Sequence, residues 1–108
     1  MATYVLVHGA WHGGWCWNRV APLLRAKGHD VYTPTLTGLG ERVHLASPEV
    51  DLSTHVTDVV NVIEFEDLRN VILMGHSYGG QVITGVAGVI PQRIAQLAYL
   101  DAVVPNDG

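Results

Sequence analysis

Ser77 stands in the stretch MGHSYGG at residues 74–80, which fits the pattern Gly-x-Ser-x-Gly. Glycine two positions before the serine and two positions after it leaves room for a sharp, strained turn that lifts the hydroxyl clear of a sheet. An apolar run at residues 71–74 precedes the turn, and a helical pattern follows it. Free backbone N–H groups and the dipole at the start of that helix would favour a developing oxyanion. We therefore predict that Ser77 is a nucleophile, since a serine that only capped the helix would not need glycine on both sides.

The segment VLVHGAWHGGWCW at residues 5–17 contains all three tryptophans and the one cysteine of the chain. The run at residues 4–7 predicts a strand buried on both faces, and a glycine-rich loop follows it. In a parallel sheet this strand can lie beside the strand that leads to Ser77, so that both loops open at the same edge. The loop would then aim one backbone N–H at a substrate carbonyl while the Tyr78 N–H supplies another, and together they form an oxyanion hole. We also predict that Trp11 lines a substrate pocket.

Histidines offer a rival chemistry to that of the serine. His8 and His12 are four residues apart, which is the spacing of a zinc pair on a helix. The glycines between and after them disfavour a helix, and no third ligand lies nearby in the sequence, so we predict no metal site. His29, His44 and His55 are predicted to be isolated surface or loop residues without a partner.

Composition excludes several other classes of protein. The net charge is −4 with only six Lys and Arg residues, so we expect no basic face for nucleic acid. The first apolar run is too short for a signal peptide or a membrane span. A single cysteine allows no internal disulfide, so we expect a cytoplasmic protein with Cys16 as a small buried hydrophobe. The GLG at residues 38–40 lacks the third glycine of a dinucleotide fingerprint and opens no helix, so no nucleotide cofactor is expected.

Apolar runs alternate with helical patterns along all 108 residues. This alternation predicts one α/β domain, in which right-handed β-α-β units build a parallel sheet of about four strands covered by helices on both faces, a three-layer sandwich. Strands are predicted at residues 4–7, 31–33, 71–74 and 97–100, and helices at residues 18–27, from a cap at Asp51 or Ser53 to before Arg69, and at residues 78–89. Residues 35–50 and 104–108 are predicted to be irregular. Ligands bind such sheets beyond the carboxyl ends of the strands, where Ser77 falls.

Three loops together resemble those of the α/β-hydrolase family: VLVHGAW after the first strand, PTLTGLG after the second, and LMGHSYGG at the serine turn. The resemblance covers the whole chain, and HGAWHGGWCW followed by PLL and GH is similar to the plant methylesterase and hydroxynitrile lyase group and its bacterial esterase relatives. It implies a serine carboxylesterase for small esters without a cofactor, with Ser77 as nucleophile and the Ala10 and Tyr78 amides as oxyanion hole. The lyases of this group carry Thr at the position of Gly9 and Glu at that of His76, so both departures favour ester hydrolysis.

The acid and base of the family's catalytic triad are not found in the expected order. The triad runs Ser, then Asp or Glu, then His, but the last histidine of this chain is His76, one residue before the nucleophile. Asp101 follows the fourth predicted strand and is interpreted as structural, because it has no histidine to orient. His8 is expected to pack behind the oxyanion loop rather than to face Ser77. The triad acid and histidine are therefore expected outside this chain.

The resemblance also predicts the strand order 2-1-3-4, in which the fourth strand has an open edge. Residues 1–108 would then form a single partial domain, the N-terminal half of the α/β-hydrolase fold, and a missing C-terminal half or a second copy of the chain would cover that edge. Two other functions stay open: a non-catalytic binding module that keeps the fold, and a hydroxynitrile lyase-like enzyme.

Overall fold

The computed structural model describes residues 1–102, in which strands and helices alternate. The strands are β1 (Thr3–Val7), β2 (Asp30–Tyr32), β3 (Val71–His76) and β4 (Ile94–Leu100). The helices are α1 (Ala21–Ala26), α2 (Leu52–Phe65) and α3 (Gly79–Val89), with 3₁₀ turns at Gly14–Trp17, Gly40–Leu45 and Pro91–Arg93. No helix in this described part of the chain is both long enough and apolar enough to cross a membrane. The loop predicted at residues 104–108 lies outside the described residues.

The four strands form one parallel sheet in the order β2-β1-β3-β4. Both the parallel sheet and its strand order are as predicted. β1 and β3 are central, and three consecutive β1 residues are fully buried: Val5, Leu6 and Val7. All strands run in the same direction, so their carboxyl ends, and the loops after β1 and β3, meet at one edge of the sheet.

Two apolar cores lie on opposite faces of the sheet. Val5 and Val7 of β1 belong to the larger core, which includes Val59 of α2 and Val82 of α3. Leu6 points the other way and packs in a smaller core, whose other buried members are Trp17, Ala21 and Val31. Successive residues of β1 therefore serve two cores, which is why the run is apolar without alternation. The predicted three-layer arrangement is confirmed.

The first helix is shorter than predicted. α1 begins at Ala21, whereas the apolar pattern placed its start at residue 18, and Pro22 falls in its first turn. A proline lacks the N–H that an interior helical residue donates, and its ring clashes with the carbonyl four residues earlier, so a regular helix could not begin upstream. Residues 18–20, which the pattern placed in the helix, instead form a turn that continues from the 3₁₀ turn Gly14–Trp17. Gly28 follows the helix at φ 88°, in the left-handed conformation expected of a C-terminal cap.

Asp51, rather than Ser53, caps the second helix. Its carboxylate accepts a hydrogen bond from the Thr54 N–H at 3.1 Å, and the Thr54 hydroxyl accepts one from the Asp51 N–H at 3.2 Å. This reciprocal capping box satisfies two backbone donors that the first turn of a helix leaves open. The preceding segment at residues 35–50, predicted to be irregular, contains the 3₁₀ helix Gly40–Leu45.

β4 forms an edge of the sheet in the described residues, where β3 is its partner. The strand begins at Ile94, three residues earlier than predicted, because Ile94 already pairs with Val71 at the start of β3. The polar Gln96 interrupts the apolar pattern there and is exposed, so hydropathy alone marked only the second half of the strand.

Candidate active site

Ser77 lies between the end of β3 and the start of α3, in the strained turn that the motif predicts. Its φ is 55°, a left-handed conformation that is costly for a residue with a side chain, and the residue is exposed. The Ser77 N–H donates to the Leu100 carbonyl at 3.1 Å, which ties the turn to the end of β4. A Cβ at Gly75 would lie 2.5 Å from the Gly79 carbonyl oxygen, so the turn closes only because position 75 has no side chain. The two glycines therefore serve the turn as predicted.

The loop after β1 lies directly against this turn. A Cβ placed on Gly9 would be 3.0 Å from the Ser77 Cβ and 3.2 Å from the His76 carbonyl oxygen. A Cβ on Gly79 would be 2.5 Å from the Val7 carbonyl oxygen, so α3 also begins in close contact with the end of β1. The predicted meeting of the two loops at one edge of the sheet is therefore observed, and glycine permits the close approach.

Ala10 follows Gly9 in the loop after β1, and Tyr78 follows Ser77 in the serine turn. Within residues 1–102, the backbone N–H groups of Ala10 and Tyr78 donate to no protein acceptor. Free N–H groups on both sides of a nucleophile are what an oxyanion hole requires. Their role as its donors stays a prediction.

His8 is buried behind the loop after β1, and both of its ring nitrogens are engaged. Nδ1 donates to the Gly9 carbonyl at 2.7 Å, and Nε2 accepts from the Leu36 N–H at 2.9 Å. These two partners define a neutral ring with its proton on Nδ1. Burial disfavours the charged ring and lowers the pKa of His8. His8 thus braces the loop, has no nitrogen left for a metal, and is not oriented to take a proton from Ser77.

A clamp of polar groups holds the next part of the same loop. The Gly14 N–H donates to the Thr35 hydroxyl at 2.8 Å, and that hydroxyl donates to the Glu41 carboxylate at 2.6 Å. The bond from Thr35 is the main reason that the pKa of Glu41 is lowered. Trp17 is buried beneath the loop, whereas Trp15 is about half exposed. Polar contacts and the buried indole of Trp17 therefore hold the loop.

His55 is not the isolated residue that the sequence suggested. It is buried, with Nδ1 2.7 Å from the Tyr78 hydroxyl and Nε2 2.9 Å from the Thr37 carbonyl oxygen. The sequence held one signal of this burial, because His55 falls on the same face of α2 as the buried Val59 and Ile63, at helical spacing. A histidine inside an apolar stripe has to find partners, and here they come from two other segments.

The remaining histidines divide into three situations. His29 was also expected to be unpartnered, but its Nδ1 accepts from the Ala2 N–H at 2.9 Å. His44 is exposed, as expected. His12 and His76 line a cavity of about 270 Å³ beside the serine turn, with ring centres 6.2 Å apart. Its other lining residues are Cys16, Trp17 and Val20.

Trp11 and Cys16 differ from each other in exposure. Trp11 is 91% exposed at φ 69°, and it is not among the residues that line the 270 Å³ cavity. Its role in a substrate pocket stays a prediction. Cys16 is partly buried, and burial raises the pKa of its thiol, which is the behaviour of the small hydrophobe expected there.

The described part of the chain supplies no partner to activate Ser77. Among residues 1–102, no histidine or carboxylate forms a hydrogen bond with the Ser77 hydroxyl. Asp101 directly follows β4, is exposed and has φ 44°. In the same part of the chain, no three His, Cys, Asp or Glu side chains are grouped closely enough to hold a metal ion. A hydroxyl without a base is a poor nucleophile, so these residues do not form a whole triad, and the role of Ser77 as nucleophile stays a prediction.

Comparison with known proteins finds relatives along the whole chain. The chain is 59% identical over 108 residues to a carbendazim hydrolyzing esterase of Nocardioides sp. (strain SG-4G), covering all of this chain and 45% of that protein. It is 38% identical to a pyrethroid hydrolase of Sphingobium wenxiniae, covering 96% of this chain and 37% of the relative. The chain is 33% identical to Methylesterase 1 of Arabidopsis thaliana, and the match covers 95% of this chain and 40% of that protein. The chain thus spans less than half the length of these relatives.

Solved structures have the same fold. An extracellular α/β-hydrolase from a Paenibacillus species superposes with a TM-score of 0.89 at 38% identity, and the match covers 97% of this chain and 42% of that one. The family model described as the alpha/beta hydrolase family matches residues 4–108. With its parallel sheet, its strained serine turn and this match over nearly its whole length, the chain belongs to the alpha/beta hydrolase family.

Proposed function

We propose that the whole protein is a serine carboxylesterase that cleaves small carboxylic esters through an acyl-enzyme on Ser77. The observation that carries the proposal is the conformation of Ser77: exposed, at φ 55°, between β3 and α3, with the Gly9 loop packed against it. A serine that only began a helix would have no reason to occupy this strained conformation. Relatives named as esterases, a pyrethroid hydrolase and methylesterases support an ester as the substrate class.

In the proposed reaction, Ser77 Oγ attacks the ester carbonyl while a general base removes its proton. The negative charge that develops on the carbonyl oxygen is stabilised by the N–H groups of Ala10 and Tyr78. The base then returns the proton to the departing alcohol, and water releases the acid by the reverse sequence. The histidine base and its acidic partner come from residues outside this chain. No step requires a cofactor.

The base would enter from a segment that also completes the sheet. β4 presents an edge without a partner strand in the described residues, and Ser77 is tied to the last residue of that strand through the Leu100 carbonyl. A C-terminal half, or a second copy of the chain, that pairs with β4 would therefore arrive beside the nucleophile. We also propose that the protein is cytoplasmic, and the sole support for this is its single cysteine.

Hydrolysis of a short-chain nitrophenyl ester by the whole protein tests this proposal. Ser77→Ala is expected to lower kcat by at least about 10³-fold, because the acyl-enzyme can no longer form. Ser47→Ala, which removes an exposed hydroxyl in the loop before α2, is the matched control and should keep full activity. Full activity of Ser77→Ala would contradict the proposal.

A non-catalytic binding module is the second candidate, and the absence of a base beside Ser77 in residues 1–102 favours it. The same fold and cavity would then bind a small molecule without cleaving it. This candidate predicts that no ester is turned over above the buffer rate, while a ligand of the site raises the melting temperature. Ester turnover that depends on Ser77 excludes it.

A further inference from the structure

We propose that His55 is a positioning residue for the oxyanion hole, because its hydrogen bond to the Tyr78 hydroxyl holds the residue whose backbone N–H faces the developing charge. The inference rests on the proposed function of Ser77. It is carried by contacts between α2, the serine turn and the loop after β2.

Tyr78 is held through both its backbone and its side chain, which packs against the larger core and makes one hydrogen bond through its hydroxyl. Its carbonyl accepts from the Gln81 N–H at 3.0 Å in the first turn of α3. Its backbone follows directly from Ser77, whose φ of 55° is strained. Its hydroxyl lies 2.7 Å from Nδ1 of His55. The phenol contact therefore acts on a residue at the junction of a strained turn and a helix, where small rotations redirect the N–H.

The direction of each hydrogen bond follows from the partners. The Thr37 carbonyl can only accept, so Nε2 of His55 carries the proton and donates to it at 2.9 Å. In the neutral ring Nδ1 is then an acceptor, and the Tyr78 hydroxyl donates to it. Burial raises the pKa of Tyr78, which keeps this hydroxyl in its protonated, donating form. The arrangement has one hydrogen-bonded state rather than two equivalent ones.

The far end of this chain of contacts is fixed to α2. The Asp58 carboxylate accepts from both the N–H and the hydroxyl of Thr37, each at 2.7 Å. Since Asp58 lies one turn after His55 on the same helix, both residues hold Thr37 from one rigid surface. Tyr78 is thus connected to the body of a 14-residue helix rather than to a mobile side chain.

A purely structural reading of the same contacts makes different predictions. If His55 only satisfied buried polar groups, its removal would lower the melting temperature and leave the serine turn unchanged in the folded protein. If it positions Tyr78, its removal changes the turn in molecules that remain folded. The test therefore compares the serine turn in folded variants, using the full chain.

The test uses the variants His55→Leu, Tyr78→Phe, their double variant and His55→Gln. Gln is the conservative replacement, because its amide can donate to the Thr37 carbonyl and accept from the Tyr78 hydroxyl. Tyr99→Phe is the matched control, since the Tyr99 hydroxyl makes a hydrogen bond of the same 2.7 Å length to Thr84 of α3 and none to His55. The readout is the NMR chemical shift of the backbone N–H at residue 78, which needs no ester turnover.

We expect His55→Leu to shift this N–H signal, and the double variant to show no further change beyond that of Tyr78→Phe alone. His55→Gln should restore it, and Tyr99→Phe should leave it unchanged. In the active protein, His55→Leu should lower kcat about tenfold and change KM less than twofold, because the N–H acts on the transition state. Lower melting temperatures with an unchanged N–H at residue 78 would overturn the inference. Failure of Ser77→Ala to affect ester turnover would overturn the proposed function while leaving the N–H result intact.

Discussion

Two buried histidines brace the two sides of the Ser77 site, and they do so with different partners. His8 supports the loop after β1 and bonds only to main-chain groups through its two ring nitrogens. His55 supports the serine turn, and one of its two partners is a side chain, the Tyr78 phenol. Main-chain groups are present whatever the side chain, so the partners of His8 depend little on the sequence. The Tyr78 hydroxyl that contacts His55 can be removed by a single substitution. The loop after β1 is therefore held by the fold itself, whereas the serine turn is held in part by a side chain that substitution can change.

The two braces meet in one short segment after β2. The Leu36 N–H donates to His8, and the Thr37 carbonyl accepts from His55. The two bonds come from adjacent residues, so a shift of this segment would disturb both the loop after β1 and the serine turn. A loop without regular strand structure thus connects the two sides of the site.

The largest effect is expected where the serine turn itself is closed. Gly75→Ala should lower the free energy of unfolding by more than about 3 kcal/mol, because the new Cβ would meet backbone atoms of Gly79 and Gly80 at 2.5 to 2.9 Å. Gly88→Ala in α3 is the control, since nothing lies within 4 Å of a Cβ there. It should raise the same free energy by about 0.5 kcal/mol. Urea unfolding measures both, and equal effects would refute the steric account of the turn.

His8→Leu tests the main-chain side of the comparison. It should lower the free energy of unfolding by about 2 kcal/mol, because the Gly9 carbonyl and the Leu36 N–H lose their buried partner. His55→Leu should cost about 1 kcal/mol, since the Tyr78 phenol is only half-buried and can turn to water. Chemical unfolding of the two variants under one condition gives the difference. A larger loss of unfolding free energy in His55→Leu than in His8→Leu would contradict this ranking.

The pH dependence of stability separates the two sides further. The pKa of His8 is lowered from its ordinary 6.5, so the folded chain binds a proton there less readily than the unfolded chain does. Its contribution to stability is therefore complete above pH 6.5 and is lost as the pH falls towards the lowered pKa. Unfolding free energies measured between about pH 5 and 8 should fall on the acid side, and less steeply in His8→Leu. An identical slope in His8→Leu and in the unaltered chain would show that this ring does not contribute.

How much the sequence could predict depended on how local each feature is. Gly75, Ser77 and Gly79 lie within five residues, and the apolar run before them and the helix after them fix the turn, so pattern and structure agree. The strands and their order followed from apolar runs and from the resemblance. His55 was misjudged because its partners lie 18 and 23 residues away, at positions that no local pattern relates to it. The buried face of a helix can be predicted from the sequence, but the partner of a buried polar side chain on that face cannot.

The loop after β1 shows the same limit from the other direction. Its glycines and its place beside Ser77 were predictable, since strand order follows from topology. The contacts that hold it, from Gly14 to Thr35 and from Thr35 to Glu41, join segments separated by 21 and 6 residues. The tryptophans drew attention because they are rare and large, yet Trp11 is 91% exposed. Trp17 is buried, whereas the backbone of Trp11 is left-handed at φ 69°, and the place of Trp11 in a substrate pocket stays a prediction.

Labelling by a fluorophosphonate tests directly whether Ser77 is an activated nucleophile. Treatment of the whole protein, followed by peptide mass spectrometry, measures where the phosphonyl group is attached and how fast. We expect one label per protein, on Ser77, and none on the exposed Ser53 of α2 or on the Ser77→Ala variant. A folded protein that remains unlabelled, or that carries the label on Ser53 instead, would contradict it.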